Sequence, residues 1–122
     1  MRWLLQGPMT AAVPEALRRH GHEAIDLAGI DLPPEVDVAN VIKAAEQRQM
    51  DLLTTDATLP AMVYAMDFWF HRSIVYLQLE GGDVEQDDAV DRLFARYPRL
   101  TPGRLYTVTG SRVKIRQLPG KK

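Results

Sequence analysis

Two aspartates occupy positions suited to chemistry. Asp56 closes the run Leu52-Leu53-Thr54-Thr55, and Asp37 stands immediately before a helical pattern. In an open parallel sheet, ligands gather at the carboxyl ends of the strands. Gln6, which follows the first apolar run, belongs to the same expected edge. Carboxylates clustered there suit Mg²⁺ or Mn²⁺, hard cations that favour oxygen ligands. Such an ion activates water and neutralises charge developing on a phosphate. Each residue also has a structural reading. Asp37 is suited to an N-cap and Asp56 to the turn into the next helix. Thr55 either orients Asp56 or a water molecule, or simply packs.

Other chemistries find less support. The chain has no cysteine, so disulfides, thiolate catalysis and cysteine–zinc sites are excluded. There is no glycine-rich phosphate loop and no nucleophile elbow. His20 and His22 lie near a helix end without a third ligand, and His71 has no evident nucleophile to activate. All three read as structural.

Alternating strands and helices must position the aspartates. Strands are predicted over Arg2 to Leu5, Glu23 to Leu27, Leu52 to Thr55 and Ser73 to Leu79. Between the first two, Thr10 is suited to capping a helix that Gly21 terminates. Val38, Val41, Ile42 and Ala45 recur at i, i+3, i+4 and i+7, the clearest helical face in the chain. Leu59-Pro60 opens a further helix, and Val90, Leu93, Phe94 and Tyr97 mark the last one. Leu105 to Thr109 and Arg112 to Arg116 flank Gly110-Ser111, a two-residue hairpin signal. This pattern predicts an α/β fold with a mostly parallel central sheet, helices on both faces and a C-terminal β-hairpin. One domain over residues 1–118 is expected, followed by a short basic tail at 119–122.

With 46% hydrophobic and 25% charged residues, the 122-residue chain is in the globular range. Its amino-terminal apolar run is too short for a signal peptide or a membrane helix, so a cytoplasmic protein without a membrane partner is expected. The net charge of −1 conceals a dipolar chain. No carboxylate side chain follows Asp91, whereas nine basic residues do; before that point there are sixteen acids and six basic residues. Within the basic tail, Arg104, Arg112, Lys114 and Arg116 are candidates for nucleic-acid phosphate contacts. Charged residues on an edge strand also discourage wrongful strand pairing. From Met62 to Phe70 the chain is at its most apolar; core packing is the default reading, and an exposed portion would mark a partner or dimer surface.

Several motifs together resemble a known family. The run Trp3-Leu4-Leu5, the segment Leu17-Arg18-Arg19-His20-Gly21-His22-Glu23, and Asp51-Leu52-Leu53-Thr54-Thr55-Asp56 are similar to those of PIN-like proteins. The nearest match is the small bacterial PIN-like family related to toxin nucleases of toxin–antitoxin systems. Pro102-Gly103-Arg104 and Arg112 through Pro119 resemble its terminal hairpin. The resemblance implies a three-layer α/β/α fold, Mg²⁺- or Mn²⁺-dependent RNA cleavage in active members, a homodimer, and an antitoxin or other protein partner. Carried over residue by residue, it assigns Asp56 and Asp37 as catalytic acids and metal ligands, with Glu35 as a nearby ligand and Thr55 beside Asp56. Gln6-Gly7-Pro8 stands where the family has an aspartate, and Thr58 stands at its usual second acid after Asp56. Gln6 and Thr58 are therefore expected to support the site as neutral groups. Two functions follow from this set: a weak or degenerate ribonuclease, or a non-catalytic binding or assembly protein that retains the scaffold.

Overall fold

A computed structural model describes residues 1–119. Of the basic tail predicted from the sequence, Pro119 is described and half-buried, and the remaining three positions lie outside the described residues. The elements follow in the order β1 (Arg2–Gln6), α1 (Ala12–Arg19), β2 (Glu23–Ile25), a 3₁₀ turn (Ala28–Ile30), α2 (Val38–Arg48), β3 (Asp51–Thr54), α3 (Thr58–Ala65), β4 (Ile74–Leu77), α4 (Asp83–Arg96), β5 (Arg104–Val108) and β6 (Val113–Gln117). The strands form one sheet in the order β2-β1-β3-β4-β5-β6, parallel throughout except for the antiparallel β5–β6 hairpin. This is the expected three-layer α/β/α arrangement.

The layers follow from the two-residue period of the strands. Trp3 and Leu5 of β1, Leu53 of β3, Val75 and Leu77 of β4, and Tyr106 and Val108 of β5 pack on α1 and α4. The intervening Leu4, Leu52, Ile74 and Leu105 face α2 and α3, against Val41, Ile42, Ala45, Leu59 and Val63. Both faces of the inner strands are thus apolar, as a parallel sheet covered on both sides requires.

Side-chain hydrogen bonds move several predicted boundaries. β2 stops at Ile25 rather than Leu27, because Asp26 Oδ1 accepts the Gly29 N–H at 2.9 Å and turns the chain into the 3₁₀ segment. β4 begins at Ile74, since Asp51 Oδ1 holds Ser73 through its N–H at 2.9 Å and its hydroxyl at 2.8 Å. Thr10 serves α1 from two residues outside it, its hydroxyl accepting the Ala12 N–H at 3.2 Å. Gly21 follows α1 at φ +83°, a conformation that favours glycine.

Of the apolar stretch after Thr58, Val63 and Phe70 are buried, whereas Met66 and Trp69 are about half exposed. Among the described residues no helix is long and apolar enough to cross a membrane.

Candidate functional site

The strand order changes direction at β1. Its sequential successor β2 lies on one side and β3 on the other, so the two crossovers leave on opposite faces of the sheet. A doubly wound sheet opens a crevice at such a point, beyond the carboxyl ends of the two diverging strands. Here those ends are Gln6 and Thr54, which are register partners.

A compact polar network closes this edge. Gln6, nearly buried, accepts a short hydrogen bond on Oε1 from the Thr54 hydroxyl, which turns its amide nitrogen outward. That Nε2 donates to Asp56 Oδ2 at 3.2 Å. The other carboxylate oxygen, Oδ1, accepts the Thr58 N–H at 2.9 Å and, closer still, the Thr58 hydroxyl. Thr54 Oγ1 also accepts the Asp56 N–H at 2.9 Å, fixing the turn out of β3. These donors hold the Asp56 carboxyl below the ordinary carboxylate range: the Thr58 hydroxyl contributes most, the Thr58 N–H and Gln6 add to it, and partial burial opposes them.

Gly7 follows β1 at φ +96°, and a Cβ there would lie 2.5 Å from Thr55 Oγ1. Glycine therefore permits both the backbone turn and the close approach of the two strand ends. The Thr55 hydroxyl donates to the Pro8 carbonyl at 2.7 Å. Its role is to join the two loops.

Two of the grooves beside these loops border Thr55 or Asp56. One, of about 600 Å³, is lined by Gln6, Gly7, Asp26 and Asp56, with Leu27 and Leu32 forming apolar wall. The other, of about 820 Å³, lies across the ends of β3, β4 and β5 and is lined by Thr55, Gln78, Glu80, Glu85, Arg92 and Lys114. Asp26 belongs to the first groove although its sequence pattern placed it inside a strand; only the end of β2 at Ile25 reveals it as a residue of the carboxyl edge.

The predicted site residues divide accordingly. Gln6, Asp56 and Thr58 meet in one network, with Thr55 beside it. Asp37 caps α2, its Oδ1 accepting the Asn40 N–H at 2.9 Å, and lines neither groove; Glu35 is exposed nearby and lines neither groove. The basic candidates also separate. Arg104 opens β5 at the amino edge of the sheet and Arg116 lies near that edge on β6, its guanidinium 3.8 Å over the Tyr64 ring. Arg112 and Lys114 lie toward the carboxyl edge.

A Mg²⁺ or Mn²⁺ centre requires several converging oxygen acceptors. In this arrangement Gln6 presents an N–H to the space beside Asp56, and the Gln6 carbonyl oxygen is engaged by Thr54. Among the described residues no three His, Cys, Asp or Glu side chains converge as a metal-binding group. The donor set as arranged does not match a two-metal centre.

The fold and site together define a doubly wound α/β protein with a polar crevice at its β1–β3 switch point. No family model, curated protein or solved structure matches the chain.

Proposed function

We propose that this chain is a non-catalytic binding protein on a PIN-like scaffold, its β1–β3 crevice holding a ligand without hydrolysing it. The observation that carries this reading is the Gln6 amide directed at Asp56. A carboxylate fed by three donor groups and held below its ordinary range is a weak base for activating water. It remains an anchor for a ligand. Asp26 and Asp56 beside an apolar wall of Leu27 and Leu32 suit a molecule that presents N–H donors or positive charge next to hydrocarbon.

The competing ribonuclease reading draws on Asp26, which brings a second carboxylate to the same crevice. Single-turnover incubation of a single-stranded RNA with Mn²⁺, using wild type and Asp56→Asn, separates the two. We expect equal, background-level cleavage in both proteins. Cleavage by wild type that is lost in Asp56→Asn would establish the hydrolase.

A further inference from the structure

Among the described residues the sheet ends on β6, whose outer edge has no neighbouring strand. Hydrogen-bonded pairs bracket the β5–β6 ladder: the Thr109 N–H donates to the Arg112 carbonyl and the Leu118 N–H to the Gly103 carbonyl, both at 2.9 Å. Antiparallel ladders alternate bonded and non-bonded pairs. With Thr107 opposite Lys114 and Leu105 opposite Arg116, the even-numbered residues of β6 bond inward to β5. The N–H and C=O groups of Val113, Ile115 and Gln117 therefore point outward. At Gln117 the outward carbonyl is already taken by the Tyr64 hydroxyl at 2.7 Å, which bounds the open stretch. Among the described residues, Val113 and Ile115 are left with both backbone groups free for a new strand.

The side chains alternate in the same register. Arg112, Lys114 and Arg116 share the face of the sheet that carries Leu105 and Leu118, and all three are exposed. Val113 and Ile115 lie on the other face, with Ile115 39% exposed. The hairpin itself contains no carboxylate; Lys114 shares its groove with Glu80, Glu85 and Asp88, while Arg112 and Arg116 do not line that groove.

A second copy of this chain is a poor occupant. In an antiparallel pair about a two-fold axis, outward-bonding residues must oppose outward-bonding residues, so odd positions face odd and even face even. Every such register sets the Arg112, Lys114 and Arg116 row of one copy against the same row of the other. Like charges directly opposite across a ladder are destabilising. RNA is poorly matched as well, because phosphates use donors only, whereas this edge offers alternating donors and acceptors. We propose that β6 binds an extended acidic peptide segment as an added strand, with Asp or Glu opposite the basic row and apolar residues opposite Val113 and Ile115. This inference is independent of what the crevice does.

The test uses a capped synthetic peptide alternating glutamate with valine, a control peptide with lysine for glutamate, and amide NMR of the full chain. With the acidic peptide, the Val113 and Ile115 amides should shift and gain protection from solvent exchange, while the Lys114 and Arg116 amides, already bonded to β5, keep theirs. Ile115→Pro removes an outward N–H without touching the β5 ladder, and proline is tolerated at such edge positions. It should weaken acidic-peptide binding by about tenfold or more, by losing a ladder hydrogen bond and blocking strand approach. Lys114→Glu/Arg116→Glu should reverse the preference toward the lysine peptide, and it decides the matter if Ile115→Pro does not fold. The proposal is overturned if the acidic peptide leaves Val113 and Ile115 unprotected, or if folded Ile115→Pro binds it as well as wild type. Charge reversal without effect also overturns it. So does protection of those amides by self-association at rising concentration, or by a polyuridine oligonucleotide in place of the peptide.

Discussion

The Gln6 amide nitrogen sits 3.2 Å from Asp56 Oδ2, and this contact joins the ends of β1 and β3 across fifty residues of sequence. It sets the polarity of the crevice, because a donor stands where a second acid would have turned Asp56 toward a cation. Gln6→Glu reverses that polarity with almost no change in shape. Two carboxylates forced together repel, so we expect a loss of about 1–3 kcal/mol at neutral pH. The sign with pH is fixed: one carboxyl of the pair has a raised pKa, so the loss shrinks as pH falls and it takes a proton. Urea denaturation at neutral and mildly acidic pH measures this. Mn²⁺ should stabilise the variant more than wild type; equal responses would show that position 6 does not control the crevice.

Thr58 does most to lower the Asp56 pKa. Its hydroxyl is the largest cause holding the carboxyl below 3.8, ahead of its own N–H and of Gln6. A carboxyl lowered by folding adds stability above its unfolded pKa, and that stability is lost as pH falls through the folded value. Thr58→Ala should therefore raise the Asp56 pKa more than Gln6→Ala does. Carbon-detected NMR titration of the Asp56 side chain reads both shifts, and the opposite ranking would contradict the assignment.

Gly7 is the steric hinge of the two loops. Gly7→Ala imposes a left-handed backbone on alanine and places its Cβ 2.5 Å from Thr55 Oγ1. The Thr55 hydroxyl bond to the Pro8 carbonyl must then shift or break. We expect destabilisation of about 1–3 kcal/mol, measured by chemical denaturation. Gly21→Ala, at φ +83° with open space around it, carries only the backbone part and should cost less.

Asp37 acts on the helix that it precedes. Asp37→Ala removes the acceptor for the Asn40 N–H and should cost about 1 kcal/mol. Asp37→Asn retains an accepting oxygen and should stay close to wild type. Chemical shifts at Gln6 and Asp56 should not move in either variant. Perturbation of those resonances would place Asp37 in the crevice after all.

His22 makes stability sensitive to mild acid. Its Nδ1 accepts the Trp3 indole N–H at 3.3 Å, and its ring stacks on Phe94 at 4.6 Å. Burial is the first cause that pushes its pKa below 6.5. The unfolded chain therefore takes up the proton first, and stability present above 6.5 declines as pH falls toward the folded value. Denaturation midpoints across this range should drop in wild type and flatten in His22→Gln. A Trp69→Phe background isolates Trp3 fluorescence as a local reporter.

The architecture was legible because its signals are local. The face formed by Val38, Val41, Ile42 and Ala45, the Gly110-Ser111 turn and the Asp37 cap each depend on residues a few positions apart. They appear in the structure as α2, the β5–β6 hairpin and an N-cap. Boundaries drifted where one side chain diverted the backbone, as Asp26 does beyond β2 and Asp51 does before β4. Asp26 escaped notice as a crevice residue for the same reason, since strand alternation ran straight through it.

Periodicity and turn chemistry in the sequence alone determined which segments become strands and helices and which faces are buried, since these follow from spacing along the chain. Tertiary structure decided which strand ends meet. Only the sheet order brings Gln6 to Asp56, leaves Asp37 and Glu35 outside both grooves, and divides Arg104 and Arg116 from Arg112 and Lys114. Only the β5–β6 register turns the free backbone groups of Val113 and Ile115 outward. These relationships join residues far apart in sequence, and crossover direction and hydrogen-bond pairing, rather than local pattern, bring them together.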